Sequence, residues 1–121
     1  MATDERLIYH FTEQDTFERS KSAGSYKPTA FAKDGFIHCS TREQVLQIAN
    51  GIAPRDTPLV LLEVETSKVR HEIIYENLEG GERLFPHIYG GIPHDAISRI
   101  WEFRADHNGR FNWPEEEDRS A

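Results

Sequence analysis

Apolar and polar positions alternate over residues 6–12 (RLIYHFT), and this pattern predicts a β-strand. Successive side chains of a strand point to opposite faces of the sheet. The expected faces are Leu7, Tyr9 and Phe11 on one side, and Ile8, His10 and Thr12 on the other. One face is therefore apolar, while the other carries two polar groups.

A short helix is expected directly after this strand. Thr12 and Asp15 resemble an N-cap arrangement, and Gly24 is a suitable residue to end the helix. Phe17 is the one large apolar anchor in this segment. Residues 25–35 (SYKPTAFAKDG) are predicted to form a loop, since Pro and Gly interrupt any periodic pattern.

Residues 40–50 (STREQVLQIAN) predict a second, clearer helix. Ser40 and Glu43 have the spacing of a capping box, in which each residue satisfies a free backbone N–H of the first turn. The apolar stripe of this helix is formed by Val45, Ile48, Ala49 and Ile52.

Four more strands are predicted in the second half of the chain. The continuous apolar run at 58–65 (PLVLLEVE) suits a central strand, and 71–77 (HEIIYEN) predicts another. Because of its Pro and Gly pair, 84–93 (LFPHIYGGIP) is expected to be an edge, bent or bulged strand. The last strand is expected over 96–103 (AISRIWEF), with one face formed by Ile97, Trp101 and Phe103.

This order of elements predicts an α+β fold with a mainly antiparallel sheet and two or three short helices. The 121 residues are enough for one core. We expect a single domain over residues 1–105, followed by a polar, acidic C-terminal tail at 106–121.

Charge and composition narrow the class of partner. The chain has 14 Lys and Arg against 21 Asp and Glu, a net charge of -7, which disfavours binding to a nucleic-acid backbone. No segment approaches the roughly 20 apolar residues of a membrane helix, so no membrane association is expected. With Cys39 as the only cysteine and no signal peptide pattern, a cytoplasmic location is expected. The expected partner is a small molecule, and the oligomeric state is left open.

The six histidines provide the candidate chemistry. None has the spacing of a metal site, so no metal is expected. A further short strand is predicted at 35–40 (GFIHCS). Three of the histidines then share a strand face with a second polar group: His10 with Thr12, His38 with Ser40, and His87 with Tyr89. The plain interpretation is three packed histidines, whereas their similar placement favours a shared pocket. Stacking surfaces for a flat ring are expected from Tyr9, Phe36, Phe85 and Tyr89.

The motifs resemble those of a known family. Residues 8–12 (IYHFT), 35–41 (GFIHCST), 59–65 (LVLLEVE) and 80–97 (GGERLFPHIYGGIPHDAI) together resemble the domain-of-unknown-function family 952 over about residues 6–104. This resemblance implies a fold similar to that of the ADP-ribosyltransferases, a split antiparallel sheet around a cleft for a nicotinamide dinucleotide. The family brings no established activity.

The resemblance also implies roles for individual residues. His10 and Thr12 match the first transferase motif, and His10 would bind the ribose or amide side of the nicotinamide half. Tyr89 would stack on the ring. His87 stands at or near the position where active transferases usually have a glutamate, and Glu82 is the closest upstream carboxylate.

Three functions are therefore open. The first is binding of a nucleotide or an NAD- or ADP-ribose-like molecule without established catalysis, with Tyr9, Thr12, Ser40, Phe85, Tyr89 and Glu82 as ligand-binding residues. The second is an ADP-ribosyltransferase-type enzyme that uses NAD as substrate, with His10, His38 and His87 as catalytic residues. The third is a structural or protein-interaction domain. No cofactor is expected beyond NAD as a substrate.

Overall fold

A computed structural model describes residues 6–77 and 81–114 of the chain. Within these residues the strands and helices form an α+β arrangement, with two additional 3₁₀ turns at Thr66–Lys68 and His94–Ala96. The strands are β1 (Leu7–Glu13), β2 (Ser25–Tyr26), β3 (Ile37–His38), β4 (Leu59–Glu65), β5 (Ile73–Glu76), β6 (Phe85–Ile88), β7 (Ile92–Pro93) and β8 (Ile97–Phe103). The helices are α1 (Gln14–Ser20), α2 (Phe31–Asp34) and α3 (Val45–Ile52).

Every strand pair in the described residues is antiparallel. One sheet has the order β1-β4-β8, a second has the order β3-β6-β5, and β2 pairs with β7. The two larger sheets meet where the backbones of Tyr9 and Ser40 exchange two hydrogen bonds of 2.8 Å. The predicted α+β class with mostly antiparallel sheets is confirmed.

β4 lies at the centre of the first sheet and is covered on both faces. Val60, Leu62 and Val64 pack into one hydrophobic cluster, while Leu59 and Leu61 pack into another. A strand that is buried on both faces has an apolar run rather than an alternating pattern, because neither face contacts water. The prediction of a central strand here is confirmed.

The predicted common face of Ile97, Trp101 and Phe103 is wrong. Trp101 and Phe103 belong to the cluster of Leu59 and Leu61, whereas Ile97 packs against the opposite cluster. The cause is a β-bulge, since the pairing with β8 shifts register between Glu63 and Val64. One extra residue reverses which face each later side chain occupies.

β6 is not an edge strand, because it lies between β3 and β5. Pro86 is tolerated there although it has no N–H to donate. Its carbonyl accepts a hydrogen bond from the Cys39 N–H at 3.0 Å, beyond the two residues of β3 that pair with β6. The segment 84–93 is nevertheless not one regular strand, because Tyr89, Gly90 and Gly91 separate β6 from β7.

The two predicted helices form with different boundaries. Phe17 is buried, as its role of anchor requires, but α1 has no side-chain cap. Ahead of α3, the Thr41 N–H donates to the Gln44 side chain at 3.0 Å. The capping contact is thus displaced by one residue from the predicted Ser40–Glu43 pair, because the Ser40 backbone is bonded to β1.

Residues 25–35 are not a continuous loop, and the chain remains packed beyond residue 105. The first of these segments contains β2 and α2, and Gly35 ends α2 with a φ of 81°. At the C-terminal side, Phe111 is 2% exposed and belongs to the core, so the predicted boundary does not separate residues 106–114 from the domain. Residues 115–121 of the predicted tail lie outside the described residues.

Candidate functional site

A cleft of about 450 Å³ opens where the two larger sheets meet. It is bordered by β1, by β3 and the two residues that follow it, by β6, and by α3. The lining residues are His10, Phe11, His38, Cys39, Ser40, Ile48, Ile52, Asn77, Phe85 and His87. The structure therefore brings the three predicted histidines together, with Ser40 and Phe85 beside them.

The described lining residues include no lysine, arginine, aspartate or glutamate. Histidine is the one titratable side chain there besides the buried Cys39 thiol. Phenylalanine and isoleucine side chains supply most of the remaining wall, and Ile52 is 73% exposed at its outer side. A concave wall of apolar side chains with a few polar groups is typical of sites for small organic ligands.

His10 is held rigidly at the inner side of the cleft. Its Nδ1 donates to the His38 carbonyl at 2.6 Å, and its Nε2 accepts from the Tyr26 hydroxyl at 2.8 Å. Burial lowers the pKa of His10 to about 4, so the ring is neutral near pH 7. With both nitrogens occupied, His10 presents ring carbons to the cleft and has no nitrogen left for a ligand.

His38 is exposed and pairs with a carboxylate on α2. Its Nε2 lies 3.1 Å from Asp34 Oδ2, four residues earlier in the chain. The chain reverses between them at Gly35, whose positive φ is accessible to glycine without strain. Nδ1 of His38 has no hydrogen-bond partner in the described part of the chain, and it is the nitrogen that a ligand can use.

His87 is 4% exposed and is oriented by Glu76 on the neighbouring strand. Its Nδ1 donates to Glu76 Oε2 at 2.9 Å, and the Tyr89 hydroxyl donates to the same oxygen. The Tyr89 and His87 hydrogen bonds lower the pKa of Glu76 and keep it ionised. This arrangement requires a hydrogen on Nδ1 of His87 and leaves Nε2 without a partner in the described residues.

Phe36 supports the two accessible histidine rings from one side. It stacks on His87 with the ring centroids 4.3 Å apart, and it contacts the His38 ring at 4.7 Å. The two imidazoles meet edge to face at 5.1 Å. Ring contacts of this kind restrict rotation of the side chains, so both imidazoles are positioned before any ligand arrives.

The family is shown by residues 11–100, which match the model described as "Protein of unknown function (DUF952)". The chain belongs to the DUF952 family. A crystal structure of CC0527 from Caulobacter crescentus is similar, with 28% identity, coverage of 88% of this chain and 93% of that chain, and a TM-score of 0.78. The solution NMR structure of CC0527 covers 88% of this chain and 91% of that one, with a TM-score of 0.70. No functionally curated protein matches the chain.

Four of the six residues predicted to bind ligand do not line the cleft of this DUF952 protein. Tyr9 occupies the opposite face of β1, where its hydroxyl donates to Glu63 at 2.9 Å and its ring packs into the core. Thr12 interacts with the Tyr26 hydroxyl behind His10. Glu82 is exposed and does not line the cleft. Tyr89, which follows the end of β6, does not line the cleft either. Its hydroxyl donates to Glu76, and its ring centroid lies 5.2 Å from that of Phe36.

Glu76 and Asp34 were not predicted from the sequence as members of the candidate site. Alternation within 71–77 does place Ile74 and Glu76 on one face, and Ile74 is paired with His87. The pairing register that makes Glu76 a diagonal neighbour of His87 is, however, a property of the folded sheet. The contact of Asp34 with His38 could not be predicted, because Asp34 lies in a segment that was predicted to be a loop.

Two further observations limit the chemistry of the site. Cys39 is 4% exposed, and burial raises the pKa of its thiol far above the ordinary range, so it is not a nucleophile at neutral pH. Among residues 6–77 and 81–114, no group of three or more His, Cys, Asp or Glu side chains is arranged to hold a metal ion.

No helix within these residues has the length and apolar character needed to cross a membrane.

Proposed function

We propose that this DUF952 domain binds a small molecule with a flat heteroaromatic ring, of the nucleotide, NAD or ADP-ribose type, in the cleft between its two larger sheets. The observation that carries the proposal is the convergence of His38, His87 and Phe85 on one opening of about 450 Å³. Histidines that serve only to pack the core need no such opening.

Ring recognition is supported by the chemistry of the wall. Phe85 offers an aromatic ring, while Nδ1 of His38 and Nε2 of His87 have no hydrogen-bond partner among the described residues. Asn77 and Ser40 add an amide and a hydroxyl. A flat ring with a polar edge satisfies both kinds of group at once.

The arrangement of the sheets supports the finer part of the proposal, a fold of the ADP-ribosyltransferase type. In the ADP-ribosyltransferase fold, as in this domain, antiparallel sheets meet around a cleft. In this domain the junction between the sheets is the Tyr9–Ser40 bridge. The proposal departs from the resemblance in one respect. Because both nitrogens of His10 are occupied, ligand hydrogen bonding is assigned to His38 and His87, and His10 is assigned to shaping the inner wall.

The test is ligand-observed NMR with NAD, ADP-ribose and nicotinamide. We expect saturable binding that is lost in His38→Ala and Phe85→Ala. His107→Ala is the matched control, since His107 is exposed in the turn beyond β8 and does not line the cleft. Absence of binding by all three compounds, or equal binding by the three variants, contradicts the proposal.

A second candidate, an ADP-ribosyltransferase-type enzyme, is favoured by the His87–Glu76 pair. An imidazole whose Nδ1–H is held by a carboxylate is arranged to accept a proton at Nε2. In this reaction the oxygen of an acceptor hydroxyl bonds to C1′ of the ribose and its proton passes to His87. The C1′–N bond breaks, and nicotinamide leaves with the electron pair.

Chromatographic measurement of nicotinamide release from NAD tests the second candidate. Turnover by the wild type that falls at least about tenfold in Glu76→Gln supports it, because general-base assistance contributes a hundredfold or more. Glu102→Gln, on the exposed face of β8, is the control. Saturable binding without release of nicotinamide supports binding alone.

A further inference from the structure

We propose that the cleft selects by charge: it accepts flat heteroaromatic rings that are cationic or neutral and rejects anionic ones, so that any phosphate group of the ligand stays outside. This inference rests on the proposed function and names the class of ligand that the same site takes. It follows from the charges that line and surround the cleft.

No fixed positive charge faces the cleft from the described lining residues. Lysine and arginine are absent from that lining, although proteins that bind phosphate groups usually present one or both. His10 does not replace them. Its Nε2 accepts a hydrogen bond from Tyr26 and its Nδ1–H is committed to a carbonyl, so the ring is held in its neutral form.

The imidazoles of His38 and His87 are each in contact with a carboxylate. Glu76 contacts His87 at 2.9 Å, and Asp34 contacts His38 at 3.1 Å. Each carboxylate attracts positive charge on a ring in the cleft, whereas it repels an anion in the same place. The net charge of -7 on the chain acts in the same direction.

The aromatic wall adds to this preference. Phe11 and Phe85 border the cleft, and an aromatic ring attracts a cation through the negative quadrupole of its face. A ring that carries positive charge, such as an N-alkylated pyridinium, gains from both the carboxylates and the aromatic side chains. A carboxylate or phosphate on the ring loses from both.

Arg83 is the nearby cation that argues for the opposite preference. Its guanidinium lies 5.9 Å from the Phe85 ring centroid, but the side chain is exposed and its Nη1 donates to Gln47 at 2.6 Å. A charge in that position is screened by solvent. It can contact a phosphate outside the cleft without supplying positive charge to the interior.

The experiment uses one ring in three charge states: 1-methylnicotinamide (cationic), nicotinamide (neutral) and nicotinate (anionic). Dissociation constants are measured by NMR titration of the full chain at neutral pH and low salt. We expect 1-methylnicotinamide to bind at least as tightly as nicotinamide. Nicotinate is expected to bind at least about tenfold more weakly than nicotinamide, and this difference should shrink as salt is added. Nicotinamide riboside is expected to bind at least as tightly as nicotinamide mononucleotide, its phosphorylated form.

Matched variants connect the preference to its cause. Glu76→Gln and Asp34→Asn each remove one carboxylate and are expected to reduce the gap between 1-methylnicotinamide and nicotinate. Glu102→Gln removes one unit of charge from β8 and is expected to leave the gap unchanged. Circular dichroism of each variant verifies that the comparison is made between folded proteins.

The outcomes separate this inference from the function on which it rests. If nicotinate binds as tightly as nicotinamide, or the mononucleotide binds more tightly than the riboside, charge selection is overturned while ring binding stands. If neither carboxylate variant changes the gap, the assigned cause is overturned. If no compound binds, the proposed function fails, and charge selection fails with it.

Discussion

Tyr26 donates a hydrogen bond of 2.8 Å to Nε2 of His10, and both side chains are buried. The other ring nitrogen of His10 donates to the His38 carbonyl at the start of the candidate site. This pair therefore links β2 to β1 and β3, and it does so only while His10 is neutral, because a protonated Nε2 cannot accept. The protonation state of His10 consequently affects both the stability of the fold and the shape of the cleft.

The first prediction concerns stability and pH. His10 titrates near 6.5 in the unfolded chain but near pH 4 in the folded protein, so below pH 6.5 the unfolded state takes up a proton that the folded state does not. The stabilisation is complete above that value and is lost as the pH falls toward 4. At about 1.4 kcal/mol per pH unit, this group alone lowers the free energy of unfolding by roughly 2 kcal/mol between pH 7.5 and 5.

Urea unfolding over that pH range measures the effect. The loss of stability in the wild type is expected to exceed that in His10→Gln by about this amount, while His107→Ala, which removes an exposed histidine, follows the wild type. Equal pH dependence in the wild type and His10→Gln contradicts the assignment of a buried neutral imidazole.

A second prediction tests the hydrogen bond itself. Tyr26→Phe removes the donor and leaves Nε2 of His10 buried without a partner, which costs about 1–3 kcal/mol of unfolding free energy. Tyr89→Phe also loses one hydroxyl bonded to another side chain, but Tyr89 is only half-buried and water can replace it. Thermal unfolding of the two variants should show the larger loss for Tyr26→Phe, and the reverse order is incompatible with the structure.

Local patterns predicted those parts of the fold that depend on neighbouring residues in the chain. The faces of β1 follow from alternation: Ile8 packs in one cluster, and Leu7, Tyr9 and Phe11 pack in the other. Tyr9 was nevertheless assigned to the ligand, because alternation gives the face of a residue but not what covers that face. The cover is Trp113, 104 positions later, whose ring lies 5.3 Å from Tyr9.

The remaining differences arise from register and pairing between distant strands. Ile97 changes face because the bulge opposite Glu63 and Val64 inserts a residue, and nothing in AISRIWEF indicates it. Glu76 reaches His87 only when β5 and β6 pair in the observed register. The histidines of the candidate site could be found from strand faces alone, whereas their carboxylate partners could not.

The third prediction concerns the reactivity of Cys39. The thiol is buried and its pKa is raised by burial, so little thiolate is present at neutral pH and access to it requires opening of the structure. We expect slow reaction with Ellman's reagent in the native protein and fast reaction in guanidinium chloride. Ser67→Cys in a Cys39→Ala background places a thiol at an exposed position and should react quickly without denaturant. Fast native reaction of Cys39 would contradict the burial of its thiol in the wall of the cleft.

The fourth prediction tests whether the domain extends beyond residue 105. Phe111 is 2% exposed, stacks near Phe103 with the centroids 4.8 Å apart, and its backbone N–H donates to Asn50 Oδ1 at 2.7 Å. Phe111→Ala leaves a cavity between β8 and α3 and is expected to cost about 3–5 kcal/mol of unfolding free energy. Arg110→Ala, an exposed neighbour, is expected to change it by less than about 0.5 kcal/mol. Chemical denaturation measures both, and equal small effects would place the end of the domain before residue 106, because a mobile tail contributes nothing to the core.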